Sequence, residues 1–267
     1  MLYNHFPHNT YNTPQNTKRY LSDRLIFNSR LAFVSKFVTI LFKARKIALN
    51  GQYNTHQWIK SSIAIFKIIE GCGGKFHISG IDNIRKTDEP VVFISNHMST
   101  LETMIFPGII APNRAVTFVV KDSLVTHPIF GPIMRARKPI VVSRKNSRED
   151  LKIVLNESKR FLSEGISIVI FPQSTRSMEF KEKEFNSLGV KVAAKAGVKI
   201  IPTAIKTDFW GNGKIIKDIG PLNRRQPIYM EFGEPLSVSG TGKEQQQQII
   251  NFIKERLNKW NINEIKD

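Results

Sequence analysis

Apolar residues gather along this chain in two patterns. Short continuous runs rich in Val, Ile and Phe alternate with longer stretches in which apolar positions recur every three or four residues. The first pattern predicts strands buried on both faces, the second helices with one buried side. Strands are expected at Phe76–Ile81, Val91–Ile94, Ala115–Val120, Pro139–Ser143, Ile166–Phe171, Val198–Ile205 and Ile228–Phe232. Helices are expected at Leu101–Ile105, ended by Pro107-Gly108, at Arg148–Glu164, closed by Gly165, and at Leu188–Ala196, capped by Gly197. A last helix, Gln245–Trp260, places Ile249, Ile253, Leu257 and Trp260 on one face. Such alternation predicts an α/β fold with a mostly parallel sheet flanked by helices. The main domain is expected over residues 75–240, with a C-terminal amphipathic helix over 241–267.

The first 74 residues follow a different pattern. Residues 1–16 are polar, rich in Asn, His and Pro, and are expected to be disordered and to lack the apolar core of a secretory signal. Two apolar segments follow, Leu21–Leu49 and Trp58–Ile69, the second ending at Gly71-Cys72-Gly73-Gly74. Across residues 1–60, nine Lys or Arg face a single acid, Asp23. Helices punctuated in this way suit the plane of an anionic bilayer, so residues 17–74 are expected to associate with a membrane. Packing of both helices on the main domain is the alternative, and the two are compatible. The longest apolar stretch, Leu31–Leu49, is interrupted by Lys36, Lys43, Arg45 and Lys46. A spanning helix is therefore not expected.

Charge narrows the partners. The chain has 267 residues and a formal net charge of +18, which favours nucleic acid, anionic lipid or an acidic protein. Helix-turn-helix, aromatic-basic sheet and zinc-finger spacings are all missing, so nucleic acid is the least favoured of the three. The single cysteine, Cys72, excludes an internal disulfide framework and a cysteine-rich metal site.

Candidate chemistry sits in Val91-Val92-Phe93-Ile94-Ser95-Asn96-His97-Met98-Ser99-Thr100-Leu101-Glu102. The apolar run stops at Ser95-Asn96, both turn and helix N-cap residues. His97 then falls just past the C-terminal end of a strand, where open α/β sheets place their sites. Glu102 follows about one helical turn later, within reach of the imidazole. A histidine oriented by a carboxylate is equipped as a general base. Ser99 reads as a helix-start residue, not a nucleophile. Other strand ends present Arg144 and Thr175-Arg176, with Lys121 a further cation, and arginine forks suit phosphate.

The ordered blocks resemble a known family. Asn96 to Glu102 is similar to the N-H-x-S-x-x-D block of the glycerolipid acyltransferases, which make phosphatidic acid from lysophosphatidic acid. Lys121 to Gly131 resembles their K-x-x-L-x-x-x-P-x-x-G stretch. Pro139 to Arg144 is similar to the strand that carries their second-block arginine, and Phe171 to Ser177 to F-P-E-G-T-R-S. Ile200-Ile201-Pro202-Thr203-Ala204 resembles the fourth block, and Phe232 to Leu236 the closing F-G-x-P segment. Three positions in two blocks depart from the pattern: Glu102 stands in place of Asp, and Gln173-Ser174 in place of Glu-Gly.

The resemblance implies acyl transfer from a thioester donor, acyl-CoA or acyl carrier protein, to a lysophospholipid hydroxyl. His97 would be the base and Glu102 its orienting partner. Lys121, Arg144, Gln173, Ser174, Thr175 and Arg176 would bind the acceptor. No metal or other cofactor is implied. The default acceptor is 1-acylglycerol-3-phosphate, with another lysophospholipid or lipid alcohol open because of Gln173-Ser174. A catalytically silent lipid-binding relative is the competing reading. The expected location is peripheral, on the cytoplasmic face of the cell membrane.

Overall fold

The computed structural model describes residues 4–25, 30–173, 175–213 and 217–264. Ser174 lies outside them. The described strands are β1 (Tyr11–Asn12), β2 (Phe76–Ser79), β3 (Val92–Ser95), β4 (Val116–Lys121), β5 (Ile140–Val142), β6 (Ser167–Ile170), β7 (Ile200–Lys206) and β8 (Ile228–Phe232). They form one sheet in the order β1-β2-β8-β7-β3-β6-β4-β5. Pairing is parallel from β7 through β3, β6 and β4 to β5, and again between β2 and β8. The β7–β8 and β1–β2 pairs are antiparallel. This is the mostly parallel α/β sheet that the alternating pattern predicts.

Helices cover both faces. They are α1 (Leu21–Leu25), α2 (Leu31–Leu49), α3 (Thr55–Gly71), α4 (Leu101–Ile110), α5 (Asp122–Thr126), α6 (Phe130–Ala136), α7 (Ser147–Ser163), α8 (Leu188–Ala196) and α9 (Lys243–Glu264). Side chains alternate along a strand, so the continuous run Val91–Ile94 serves two cores. Val91 and Phe93 join Phe66 of α3 and Phe106 of α4 on one face. Val92 and Ile94 join Val154 of α7, Val190 of α8 and Ile249 of α9 on the other. At Gly80, with φ +74°, an added Cβ would stand 1.9 Å from the Phe232 carbonyl oxygen, so only glycine fits between β2 and β8.

Three expectations change. Residues 4–16 are not disordered: β1 pairs with β2, and Phe6 is buried edge-on against Tyr11 and Phe66, each at 5.2 Å. The Tyr11 and Thr13 hydroxyls donate to Glu70 of α3 at 2.8 and 2.6 Å. A few aromatic residues suffice because they dock on a core built elsewhere in the chain. The Leu21–Leu49 helix is likewise not one piece, since α1 ends at Leu25 and α2 begins at Leu31, with residues 26–29 outside the described set.

Pro107 does not end α4, which runs on to Ile110. Ser62 of α3 makes this possible. Its hydroxyl donates to Met104 O at 2.6 Å and accepts from Gly108 N–H at 2.8 Å, replacing a rung of the helix ladder. Thus α3 packs on the sheet domain, as the alternative to membrane contact had it. Helix α2 buries only Ala32, Phe33, Phe37, Leu41 and Ala44, and leaves Leu31, Phe42 and Leu49 exposed. No described helix is long and apolar enough to cross a membrane.

Candidate active site

The parallel strands aim their C-terminal ends at one edge of the sheet. Segments following β7, β3, β6, β4 and β5 therefore meet there in that order. The β3–α4 loop is fixed first. The Asn96 side chain accepts from Ile205 N–H and donates to Ile205 O, both at 2.9 Å, so it mimics a strand residue and locks the loop to β7.

Glu102 organises the rest of this loop. Its Oε1 accepts from the Met98 and Ser99 backbone N–H groups at 2.7 and 2.8 Å, and from His97 Nδ1 at 2.8 Å. Its Oε2 accepts from the Ser99 and Thr207 hydroxyls at 3.0 and 2.8 Å. The side chain is fully buried. Burial pushes its acidity the other way, yet the His97 hydrogen bond and charge, with backbone donors at this first turn of α4, hold its pKa below the ordinary 4.5. The carboxylate is ionised at neutral pH and fixes the histidine tautomer: Nδ1 donates, leaving Nε2 the basic nitrogen. The His97 ring stacks on Phe171, centroids 4.3 Å apart, and keeps 15% of its side-chain surface exposed. Ser99 is buried in this network and accepts from Leu101 N–H at 3.1 Å, in keeping with a helix-start role.

The β6 end closes on the same loop. Gln173 is buried, and its Oε1 accepts from the His97 N–H at 2.8 Å, while Ser177 N–H donates to His97 O at 2.9 Å. Gln173 thus braces the histidine backbone and supplies there the acceptor that a carboxylate would supply. Arg176 donates to Asp218 Oδ1 at 2.8 Å and to the Thr100 hydroxyl, and Thr175 is exposed beside it.

The outer cations stand further off. With strands about 4.8 Å apart, the β4 end with Lys121 lies two spacings from β3 and the β5 end with Arg144 three. Both residues are exposed on the same edge. Arg144 has φ +58°, a conformation few non-glycine residues adopt. The Asp150 carboxylate holds it there, accepting from Ser143 and Arg144 N–H at 2.8 and 2.7 Å. The structure brings His97, Glu102, Gln173 and Arg176 together, and sets Lys121 and Arg144 apart.

Residues 75–206 match the Acyltransferase family model. This segment is a domain of the acyltransferase family. The chain is 28% identical over 153 residues to a 1-acyl-sn-glycerol-3-phosphate acyltransferase of Pseudomonas aeruginosa, covering 57% of each chain. It is 33% identical over 131 residues to a 1-acyl-sn-glycerol-3-phosphate acyltransferase of Chlamydomonas reinhardtii, covering 49% of this chain and 38% of that one. The chain thus spans between about two fifths and three fifths of the length of these relatives. The crystal structure of the 1-acyl-sn-glycerophosphate (LPA) acyltransferase PlsC from Thermotoga maritima shares the fold, with a TM-score of 0.61 at 19% identity, over 90% of this chain and 93% of that chain.

Four residues of this acyltransferase-family site carry little or no signal in the sequence pattern: Phe171, Thr207, Asn212 and Asp218. Thr207 could have been found, because it directly follows β7 and so shares the edge with His97. Phe171 is visible as the end of an apolar run and as the first residue of the block similar to F-P-E-G-T-R-S, but neither marks its stacking on His97. Asn212, which donates to Met98 O at 3.0 Å, and Asp218 come from the β7–β8 connection and carry no sequence signal.

Proposed function

We propose that this protein transfers a fatty acyl group from a thioester, acyl-CoA or acyl carrier protein, to the free hydroxyl of a lysophospholipid, 1-acylglycerol-3-phosphate by default. The buried His97–Glu102 pair carries the proposal. His97 Nε2 takes the proton as the acceptor oxygen attacks the thioester carbonyl carbon. The tetrahedral intermediate then expels the thiolate, which receives that proton from the imidazolium. An ester and a free thiol result, with no covalent acyl-enzyme. Glu102 stabilises the imidazolium and holds its orientation.

Arg176, Thr175, Arg144 and Lys121 offer the acceptor's phosphate a row of donors along the sheet edge. Two features support activity over a silent lipid-binding relative. Glu102, though longer than Asp, pairs with His97 at 2.8 Å. Gln173, though neutral, accepts from the His97 N–H.

We place the protein peripherally on the cytoplasmic face of the cell membrane, with α1 and α2 as the contact. Leu31, Val38, Phe42 and Leu49 fall on one line of α2, at spacings of seven, four and seven, away from the buried Phe33, Phe37 and Ala44. Exposed Leu21, Leu25, Lys43 and Lys46 extend this apolar and basic surface, which suits an anionic bilayer. The test is acyl transfer by the purified protein in mixed micelles, with oleoyl-CoA and acyl carrier protein donors crossed against a panel of lysophospholipids. Transfer to lysophosphatidate is expected. Transfer to no acceptor by folded protein would overturn the reading.

A further inference from the structure

We propose that Asp218 is a specificity-determining residue: its carboxylate holds the place of the acceptor's phosphate on Arg176 and Thr100 until the acceptor displaces it. The inference rests on the acyl-transfer reading and adds a residue to it. Two donors converge on one oxygen, Asp218 Oδ1: Arg176 Nη1 at 2.8 Å and the Thr100 hydroxyl at 2.9 Å. Arg176 also donates to the Thr100 hydroxyl, closing a triangle. A phosphate oxygen is an acceptor of the same kind and, on a monoester, carries more charge, so it can take both donors in one exchange. Thr100 adjoins the catalytic loop, only three residues after His97. An anion held here lies beside the proposed base.

Asp218 is built to be present and yet to leave. The connection that carries it is pinned at its base, where Gly211 N–H donates to Pro221 O at 2.9 Å and Trp210 bridges to Leu222. Trp210 is buried edge-on against Phe33 and Phe37 of α2, at 4.6 and 5.0 Å. Arg30 donates to Ile219 O at 3.0 Å, next to the aspartate itself. The side chains of the pair are less confined: Asp218 is 33% exposed and Arg176 19%. An ion pair partly open to water is worth about 1 kcal/mol or less, so a substrate dianion can replace it. While the aspartate stays, it cancels the Arg176 charge and weakens the site for a phosphate monoester.

The test compares the wild-type protein with Asp218→Asn and Asp218→Ala. Steady-state KM is measured for lysophosphatidate and for a monoacylglycerol, which has no phosphate. Calorimetry gives the Kd of inorganic phosphate for each protein. In both variants KM for lysophosphatidate and Kd for phosphate are expected to fall about three- to fivefold, the span of a partly exposed ion pair. KM for the monoacylglycerol moves less. A KM and a Kd that rise or stay level would overturn the proposal and leave Asp218 as a support for Arg176. If no protein acylates lysophosphatidate or any other acceptor of the panel, the acyl-transfer reading fails on its own. Phosphate binding then decides on Asp218: tighter in the variants supports the displaced-carboxylate role, equal or weaker overturns it.

Discussion

At the β3 end of the sheet edge, His97 and Glu102 sit in a buried network in which the carboxylate accepts from five donors. At the β4–β5 end, Lys121 and Arg144 stand exposed, two and three strands away. The contrast matches the two tasks of the proposed reaction. Moving a proton needs a fixed tautomer and a reach of a few tenths of an ångström, which only a buried, fully satisfied network holds. Attracting an anionic headgroup needs charge along its path, and exposed cations supply that at low cost in desolvation.

Breaking the buried end has the largest expected effect. His97→Ala lowers kcat by about 10²–10⁴ while far-ultraviolet circular dichroism stays native. Full activity in the variant would remove His97 from the mechanism. Glu102→Gln follows, with a loss of about 10–100-fold, the scale set by the hydrogen-bond partners of metal-bound histidines. It also changes the pH dependence of folding. The native pKa of Glu102 lies below the ordinary 4.5, so its ionised form adds stability above that pH. That contribution decays as pH falls below 4.5 towards the depressed native value. Urea unfolding should therefore show wild type and Glu102→Gln furthest apart at neutral pH and converging in acid. A gap independent of pH would contradict the ionised carboxylate.

A smaller effect sharpens the boundary between the two ends. Gln173→Leu strands the His97 N–H and costs about 1–3 kcal/mol of stability, with a parallel loss of activity. Gln173→Glu keeps an acceptor there and loses far less. If both variants fall equally, Gln173 does something other than brace His97. The exposed end gives the smallest change: Lys121→Ala and Arg144→Ala each raise KM for a phosphorylated acceptor by about two- to fivefold, an effect that fades as ionic strength rises. A loss in kcat on the scale of His97→Ala would place those cations within the chemistry.

Much of the site is legible in the sequence because the relevant signals are local. His97 and Glu102 are five positions apart, on either side of a helix start, and their pairing follows from that geometry alone. Arg176 is legible as a cation after a strand. Its partner is not, because Asp218 lies 42 positions away in sequence and arrives through the β7–β8 connection. Gln173 reads in the sequence as a group facing the substrate, whereas its oxygen faces the His97 backbone. Side-chain direction in a loop depends on what the neighbouring strand presents, and a spacing pattern does not encode it.

The fold divides along the same line. Runs of β-branched residues, glycine caps such as Gly165 and Gly197, and helical spacing determine by themselves which segments are strands and which are helices, since those choices rest on the 2.0 and 3.6 periods and on backbone sterics. Long-range contacts decided the exceptions. Pro107 should end a helix, and Ser62, from another helix, lets it continue. Phe6 and Tyr11 belong to a polar stretch that cannot fold alone, and a core assembled from α3 and β2 orders it. Helices α2 and α3 look alike as basic, apolar segments, yet α3 is buried against α4 while α2 keeps an apolar line exposed. Local propensity is a property of neighbours in sequence, and burial is a property of neighbours in space.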